Sequence, residues 1–145
     1  MKIIKATEND LKSLIELENK LWKKHTIEEL ALETLNQIRD DKNAFFLAYD
    51  GVRAIGFSHI SMRYEYVEGC NSSPTGYLEG IFVLKEYRRK QVASNLVVNC
   101  EEFAKQNGCL QFASDCEIKN IASIKFHRHV GFCIAKRNIH FKKDI

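Results

Sequence analysis

The sequence predicts a single α/β domain in which a central mixed sheet carries helices on both faces. Strand and helix periodicities alternate along the chain in the order β-α-α-β-β-β-α-β-α-β, and such elements bury their apolar faces by layering helices on a sheet. No repeat or low-complexity linker divides the 145 residues. We therefore treat residues 1–145 as one domain, which is long enough to bury roughly two thirds of the surface of its unfolded chain.

The N-terminal part predicts one strand and two helices. Residues 2–6 are typical of a strand, and Thr7 with Asp10 is typical of a capped helix start. Thr26 with Glu29 makes a second capping box before another helical pattern. Apolar residues at helical spacing follow each cap: Leu11, Leu14, Ile15, Leu17 and Leu21 in the first helix, and Ile27, Leu30, Ala31, Leu35 and Ile38 in the second.

The rest of the chain predicts three strands joined by turns, and then two helices and two strands in alternation. Residues 45–49 and 54–66 form a hairpin around the Asp50-Gly51 turn, and a strand at 77–84 follows a polar loop. An apolar helical face predicts a helix that ends at Gly108; its residues are Ala93, Leu96, Val97, Cys100, Phe103 and Ala104. The remaining elements are a strand at 110–114, a helix at 121–129 and a strand at 132–141.

Composition excludes several classes of protein. Hydrophobic residues make up 45% and charged residues 28% of the chain, which is ordinary for a soluble globular domain. We expect no membrane span and no signal peptide. The net charge of +3 is too small to indicate nucleic acid. The five cysteines are scattered without metal-ligand spacing, so we expect reduced thiols in the cytoplasm and no metal.

The most informative segment spans residues 77–93 and reads YLEGIFVLKEYRRKQVA. Its apolar strand breaks into a basic loop at 85–90, and an amphipathic helix begins directly afterwards. Backbone N–H groups and cations at a helix N-terminus bind phosphate. Because the amides of a pantetheine arm can pair with the adjacent strand, coenzyme A fits this arrangement better than a bare nucleotide.

This segment resembles the coenzyme A loop of the GNAT acyltransferases, whose motif is Q/R-x-x-G-x-G/A. Ala93 fits the last position, and Gln91 stands where glycine is usual. The order of elements is also that of the GNAT acyl-CoA N-acyltransferase fold. The resemblance implies acetyl-CoA as co-substrate and the following cofactor-binding residues: Phe82, Val83, Leu84, Arg88, Arg89, Lys90, Gln91, Val92, Ala93 and Asn120.

Four further segments resemble one branch of that family, the aminoglycoside 6'-N-acetyltransferases. They are RYEYV at 63–67, LEGIFV at 78–83, FASD at 112–115 and FKK at 141–143. The resemblance implies transfer of an acetyl group to the 6'-amine of an aminoglycoside antibiotic, which gives resistance. It also implies a homodimer, and the strand at 132–141 is an edge at which two subunits could pair.

An aminoglycoside is a polycation, so its pocket needs carboxylates. Glu79 interrupts an apolar strand and Asp115 ends another. In a GNAT-like sheet these are the two central strands, which splay apart, so both side chains face the cleft. We expect each to be catalytic and to bind substrate, against the alternatives of a surface acid for Glu79 and a turn residue for Asp115.

The resemblance assigns four more residues. Trp22 and Tyr66 line the antibiotic pocket, the alternatives being a core tryptophan and a cross-strand aromatic. Asn120 contacts the pantetheine, a role compatible with a helix N-cap. His127 stands where many GNAT enzymes have a tyrosine near the departing sulfur and is a candidate proton donor; the alternative is an exposed helical histidine.

Two other residues, Cys116 and Lys136, bear on the predicted site without being assigned to it. Cys116 adjoins Asp115, but no histidine is positioned by the sequence to activate it, so we expect a small buried thiol rather than a nucleophile. Lys136 departs from the branch, which has an acidic residue at that position.

The expected mechanism is direct attack of the amine on the thioester. Glu79 or Asp115 removes the amine proton, a backbone N–H near Phe82 or Val83 stabilises the oxyanion, and His127 protonates the thiolate. Two alternatives stay open. One is a GNAT enzyme for another amine, such as a protein N-terminus, a lysine or a polyamine. The other is a non-catalytic acyl-CoA-binding regulatory module.

Overall fold

The computed structural model describes all residues, 1–145, and contains one five-stranded sheet and four α-helices. This confirms the predicted α/β class. The elements, in chain order, are β1 (Lys2–Lys5), α1 (Leu11–Leu21), α2 (Ile27–Ile38), β2 (Asn43–Asp50), β3 (Arg53–Arg63), β4 (Thr75–Val83), α3 (Val92–Gln106), β5 (Phe112–Ser114) and α4 (Ile121–His129). Short 3-10 turns at Glu8–Asp10 and Lys85–Tyr87 precede α1 and α3.

The strands lie in the order β1-β2-β3-β4-β5. The first four are antiparallel, whereas β5 runs parallel to β4, so the sheet is mixed as expected. The β4–β5 pairing covers only three residue pairs and ends at Leu78 and Ser114, although β4 continues to Val83. A cleft therefore opens along this edge of β4, and the predicted parting of the two strands is confirmed.

Alternation along β3 assigns a helical layer to each face of the sheet. The Phe57 ring lies 5.9 Å from the Trp22 ring, which follows α1. The next residue, Ser58, points to the other face, where its hydroxyl accepts a hydrogen bond from the Cys100 thiol of α3 at 3.2 Å. The apolar core consequently lies on both faces of the sheet, under α1 and α2 on one face and under α3 on the other.

The local signals for helix ends and turns are confirmed. Both capping boxes form. The Thr7–Asp10 box caps the 3-10 turn at Glu8–Asp10, and α1 begins at the next residue, Leu11. Gly108 follows the last residues of α3 with a φ of +81°, and Gly51 in the β2–β3 turn has a φ of +59°. These are backbone conformations that favour glycine.

The prediction of a strand at 132–141 is wrong. This segment pairs with no strand, and Ile139 and Phe141 are 81% and 91% exposed. A strand needs a neighbour to satisfy its backbone groups, and within one chain the three-residue β5 at the sheet edge gives no such partner. The prediction that β5 is a central strand is also wrong, because without a strand at 132–141 beyond it β5 is the edge of the sheet.

Strand boundaries also differ from the predictions by a few residues. The fifth strand begins at Phe112 rather than at residue 110, since Leu110 is 85% exposed. The third ends at Arg63, so Tyr66 lies in the loop beyond it. The fourth begins at Thr75, within the predicted polar loop, because Gly76 already pairs with Phe112. No helix of the protein is both long enough and apolar enough to span a membrane.

Candidate active site

Glu79 lies in a β-bulge. His59 pairs with Gly80 and Ile60 pairs with Leu78, so Glu79 is the extra residue of β4. The bulge places its side chain on the α1–α2 face of the sheet, where the Ser61 hydroxyl donates a hydrogen bond to Oε1 at 2.6 Å. A carboxylate is thus held at the edge where β4 loses its partner.

A network of side chains connects Glu79 to Asp115. Arg63 donates hydrogen bonds from Nε and Nη2 to the Glu79 carboxylate, at distances between 2.8 and 3.0 Å. Its guanidinium carbon lies 3.4 Å from the centroid of the Tyr77 ring, and the Tyr77 hydroxyl donates a hydrogen bond to Asp115 Oδ2. Burial, together with this hydrogen bond, raises the pKa of Tyr77 above its ordinary value, so the phenol remains a donor.

A pocket of about 420 Å³ lies between α1, α2 and the sheet, beside Glu79. Its lining residues are Glu18, Trp22, His25, Leu30, Glu33, Thr34, Gln37, Asn43, His59, Ser61 and Glu79. A larger depression of about 610 Å³ on the outer side of α1 is lined by none of the predicted site residues. The smaller pocket is therefore the candidate substrate site.

Trp22 serves both the core and the pocket. It is half-buried, packs edge-on against Phe57 and lines the pocket with Glu79. A Cβ atom at Gly80 would lie 2.6 Å from Cζ2 and Cη2 of the indole, so only glycine lets the ring lie against β4. A place in the core and a place in the pocket wall are therefore compatible for Trp22.

Sequence reasoning missed Glu18. Its side chain is 1% exposed, and Thr34 Oγ1 donates a hydrogen bond to Oε2 at 2.7 Å. Burial raises the pKa of Glu18 to about 7. The available signal was an acid four residues after Leu14 and three before Leu21, on the apolar face of α1.

His59 was also missed. It is 4% exposed, its ring stacks on Phe45 at 4.1 Å, and Nε2 lies 2.7 Å from Oδ1 of Asn43. Burial lowers the pKa of His59 to about 4, so the imidazole is neutral at physiological pH and its Nε2–H donates to Asn43. His59 therefore adds no positive charge to the wall of the pocket.

Tyr66 and Lys136 lie outside this pocket. Tyr66 is 77% exposed in the loop after β3, so the cross-strand alternative is wrong. Lys136 Nζ lies 3.0 Å from Glu68 Oε1, so a carboxylate on the neighbouring loop compensates the charge that departs from the branch.

The loop before α3 has the features of a diphosphate site. The N-terminus of α3 has no side-chain cap, and the amides of Val92, Ala93 and Ser94 make no hydrogen bond within the chain. Gln91 has φ +64° and ψ 11°, so it adopts the left-handed conformation for which the motif uses glycine. The motif's backbone conformation at this position is thus retained. The residues fit the pyrophosphate of a coenzyme A molecule.

Residues of β5 and α4 meet at the cleft. His127 Nδ1 lies 2.7 Å from the Ser123 carbonyl, and Nε2 lies 2.8 Å from the Ser114 hydroxyl, at the end of β5. In the neutral ring, Nδ1–H therefore donates to the carbonyl and Nε2 accepts from Ser114. Asn120 Oδ1 accepts from the Ser123 amide at 3.1 Å, so Asn120 is the N-cap of α4.

The prediction of a buried Cys116 thiol is wrong, because Cys116 is exposed in the connection after β5. It makes no hydrogen bond with a histidine. No group of three or more His, Cys, Asp or Glu side chains is arranged to hold a metal ion.

The structure combines strands β4 and β5 that part, an uncapped N-terminus of α3, and a pocket with three glutamates on the α1–α2 face of the sheet. This arrangement suits an acyl-CoA and a second, cationic ligand. The acetyltransferase (GNAT) family model matches residues 11–132. The chain belongs to this family.

Two proteins with similar sequences belong to one branch of this family. An aminoglycoside N(6')-acetyltransferase type 1 of Acinetobacter haemolyticus is 41% identical, over 100% of this chain and 99% of the relative. Its counterpart in Serratia marcescens is 32% identical, over 99% of both chains.

Two solved structures share the fold over nearly their whole length. AAC(6')-Iy in complex with the bisubstrate analogue CoA-S-monomethyl-acetylneamine has a TM-score of 0.95 and 33% identity, covering 99% of this chain and 98% of that one. The apo form of AAC(6')-IG from A. haemolyticus has a TM-score of 0.94 and 39% identity, covering 100% and 99%. The predicted GNAT fold is confirmed.

Proposed function

We propose that this protein is an aminoglycoside 6'-N-acetyltransferase, which transfers the acetyl group of acetyl-CoA to the 6'-amine of an aminoglycoside and so gives resistance to the antibiotic. The observation that carries the proposal is the full-length similarity to enzymes of that name, at 41% identity. The acidic pocket beside Glu79, on the strand that leads into the predicted coenzyme A loop, supports it independently, since a polycationic substrate needs such a pocket.

Acetyl-CoA is the co-substrate, as coenzyme A is present in complexes of the related AAC(6')-Iy. Its pyrophosphate binds the amides at the N-terminus of α3, with Arg89 and Lys90 as exposed cations of the same loop. Arg88 has a different part, because its Nε donates to the Val83 carbonyl at 2.9 Å and thereby fixes the loop to the end of β4.

Glu79 and Asp115 supply the base and the substrate anchors. At neutral pH the amine arrives protonated and must lose a proton before it can attack. Glu79 Oε2 accepts only one hydrogen bond within the chain, and Asp115 accepts only that of Tyr77, so both carboxylates retain acceptor capacity. After deprotonation the amine attacks the thioester carbonyl directly, and a backbone N–H near Phe82 or Val83 stabilises the oxyanion.

The departing thiolate takes the proton of the Ser114 hydroxyl, which in turn takes a proton from Nε2 of the imidazolium form of His127, and the ring is left neutral with its remaining proton on Nδ1. This route is supported by the 2.8 Å contact between Ser114 Oγ and His127 Nε2 at the end of β5. The Ser123 carbonyl orients the ring through Nδ1. Asn120 contributes to this region as the cap of α4 and contacts the pantetheine.

The protein acts as a homodimer in the cytoplasm, where acetyl-CoA is made. The segment at 132–141, with its exposed Ile139 and Phe141, supports pairing with a second copy, because an unpaired apolar segment gains a partner that way. All five cysteines are free, which is consistent with a reducing compartment.

The test is thiol release from acetyl-CoA with neamine and with paromamine, which differ only in a 6'-amine or a 6'-hydroxyl. We expect turnover with neamine alone. If neither compound is acetylated but a polyamine or a peptide amine is, the substrate is that other amine and not an aminoglycoside. Tight coenzyme A binding without turnover of any amine would instead support a regulatory module.

A further inference from the structure

Glu18 presents a carboxylate oxygen to the pocket that also contains Trp22 and Glu79. Its Oε2 accepts a hydrogen bond from Thr34, whereas Oε1 has no partner within the chain. No fully buried side-chain oxygen of the protein lacks a hydrogen bond. Oε1 is therefore open to the pocket, although the residue as a whole is 1% exposed.

The other charges of the pocket do not compensate Glu18. Arg63 and Ser61 engage Glu79, and His25 pairs with Glu29 at 3.4 Å. Glu33 lies on α2 at the rim of the pocket and makes no ion pair. Glu18 and Glu33 are thus the two carboxylates of the pocket for which the chain supplies no cation.

We propose that Glu18, with Glu33 at the rim, binds an ammonium group of the substrate other than the one that is acetylated, and so helps to determine specificity. This assignment rests on the proposed function, because it needs a substrate with more than one amine. A partly desolvated carboxylate with a free acceptor gains a charge-assisted hydrogen bond from such a group. The Thr34 hydroxyl fixes the carboxylate from the opposite side.

Burial supports this assignment, since it raises the pKa of Glu18 to about 7 and leaves the charged form in need of a counter-ion. The titratable or charged groups around the pocket are His25 from the α1–α2 connection, Glu29 and Glu33 from α2, His59 and Arg63 from β3, and Glu79 from β4. His59 stays neutral there, and Glu33 is itself an acid whose negative charge raises the pKa of Glu18 further, so neither can be the counter-ion.

The test compares Glu18→Gln with Glu16→Gln, by calorimetric titration of neamine into the protein saturated with coenzyme A. Glutamine keeps the shape of Glu18 and an acceptor for Thr34, and Glu16 is an exposed acid of the same helix. We expect Glu18→Gln to weaken neamine binding about tenfold, which is the effect of losing one charged hydrogen bond, and Glu16→Gln to have no effect. In steady state, KM for neamine rises by a similar factor, while KM for acetyl-CoA stays unchanged.

Equal affinities of Glu18→Gln and the wild type for neamine would overturn the assignment and leave the proposed function intact. If the wild type binds no aminoglycoside, the proposed function falls and the assignment falls with it. Glu33→Gln is a second variant that does not disturb the core, and we expect it to weaken neamine binding about twofold to threefold. Should Glu18→Gln fail to fold, unchanged binding by Glu33→Gln would overturn the two-carboxylate subsite.

Discussion

The Arg63 guanidinium and the Glu79 carboxylate form a forked ion pair between β3 and β4, with Nη2 2.8 Å from Oε1 and 2.9 Å from Oε2. The fork fixes the orientation of the carboxylate, and stacking on Tyr77 connects it to Asp115. Because the Arg63 side chain is 42% exposed, the pair contributes only about 0–1 kcal/mol to stability. We infer that it positions the Glu79 carboxylate, which we propose as a base, rather than stabilising the fold.

Replacing Arg63 with lysine keeps the charge and removes the fork and the stacking. We expect kcat/KM for neamine to fall about tenfold and KM for acetyl-CoA to stay the same, because only Glu79 loses its orientation. Arg53→Lys is the matched control, since Arg53 forms a comparable surface pair with Glu86 at 2.8 Å, away from the pocket. Steady-state kinetics decide the matter, and equal losses in the two variants would contradict the positioning role.

Ser114 and His127 are expected to act as one unit. Ser114→Ala and His127→Asn should each lower kcat about a hundredfold, and the double variant should lose no more than either single one. His129→Asn, an exposed histidine of the same helix, provides the control. Independent, multiplying losses in the double variant would show that the proton does not pass through the Ser114–His127 contact.

Gln91 holds a left-handed conformation that is unfavourable for a residue with a side chain. The substitution Gln91→Gly should therefore raise the free energy of unfolding by about 0.5–1 kcal/mol, since the strain removed exceeds the extra entropy of glycine in the unfolded chain. Urea unfolding measures this change. The control is Ser94→Gly in the first turn of α3, which should destabilise by about 0.5–1 kcal/mol. A destabilised Gln91→Gly protein would mean that the Gln91 side chain contributes contacts that outweigh the strain.

Glu18 should make stability depend on pH. Its pKa is about 7 in the folded protein against an ordinary 4.5, so the folded state binds the proton more tightly. The stability that this proton provides is complete below about pH 4.5 and is lost as the pH rises to about 7. By this account Glu18→Gln is more stable than the wild type at pH 8, by up to roughly 3 kcal/mol, although it binds neamine more weakly.

Denaturant titrations at pH 5 and pH 8 check this, with Glu16→Gln as the reference. A Glu18→Gln protein that is less stable than the wild type at pH 8 would mean that the Glu18 carboxylate is a structural group. That result would also weaken the case for a functional carboxylate in the pocket.

Most of the fold follows from local patterns. Capping boxes, helical spacing and the Asp50-Gly51 turn predict all four helices and the hairpin, because these signals act between residues that are close in the chain. The strand at 132–141 was mispredicted since a strand depends on a partner elsewhere in space, and one chain supplies none.

Some residues of the candidate site could likewise be predicted from the sequence, and others could not. The sequence predicts Glu79 and Trp22 at one site, and the two residues line the same pocket, while their roles there stay predictions. The Arg63–Tyr77–Asp115 connection could not be predicted, because it joins β3, β4 and the end of β5 through side-chain contacts that no spacing reveals. Glu18 lies among the apolar residues of α1, where the hydrophobic pattern hides a single acid.

The central claim is acetyl transfer to one particular nitrogen, and the most direct test is NMR identification of the product formed from neamine, acetyl-CoA and the purified protein. Neamine carries several amines, so the position of the new amide reports the regiochemistry. The account predicts a single monoacetylated product with the acetyl group on the 6'-nitrogen. An acetyl group on any other nitrogen, or no acetylated product while acetyl-CoA binds, would contradict it.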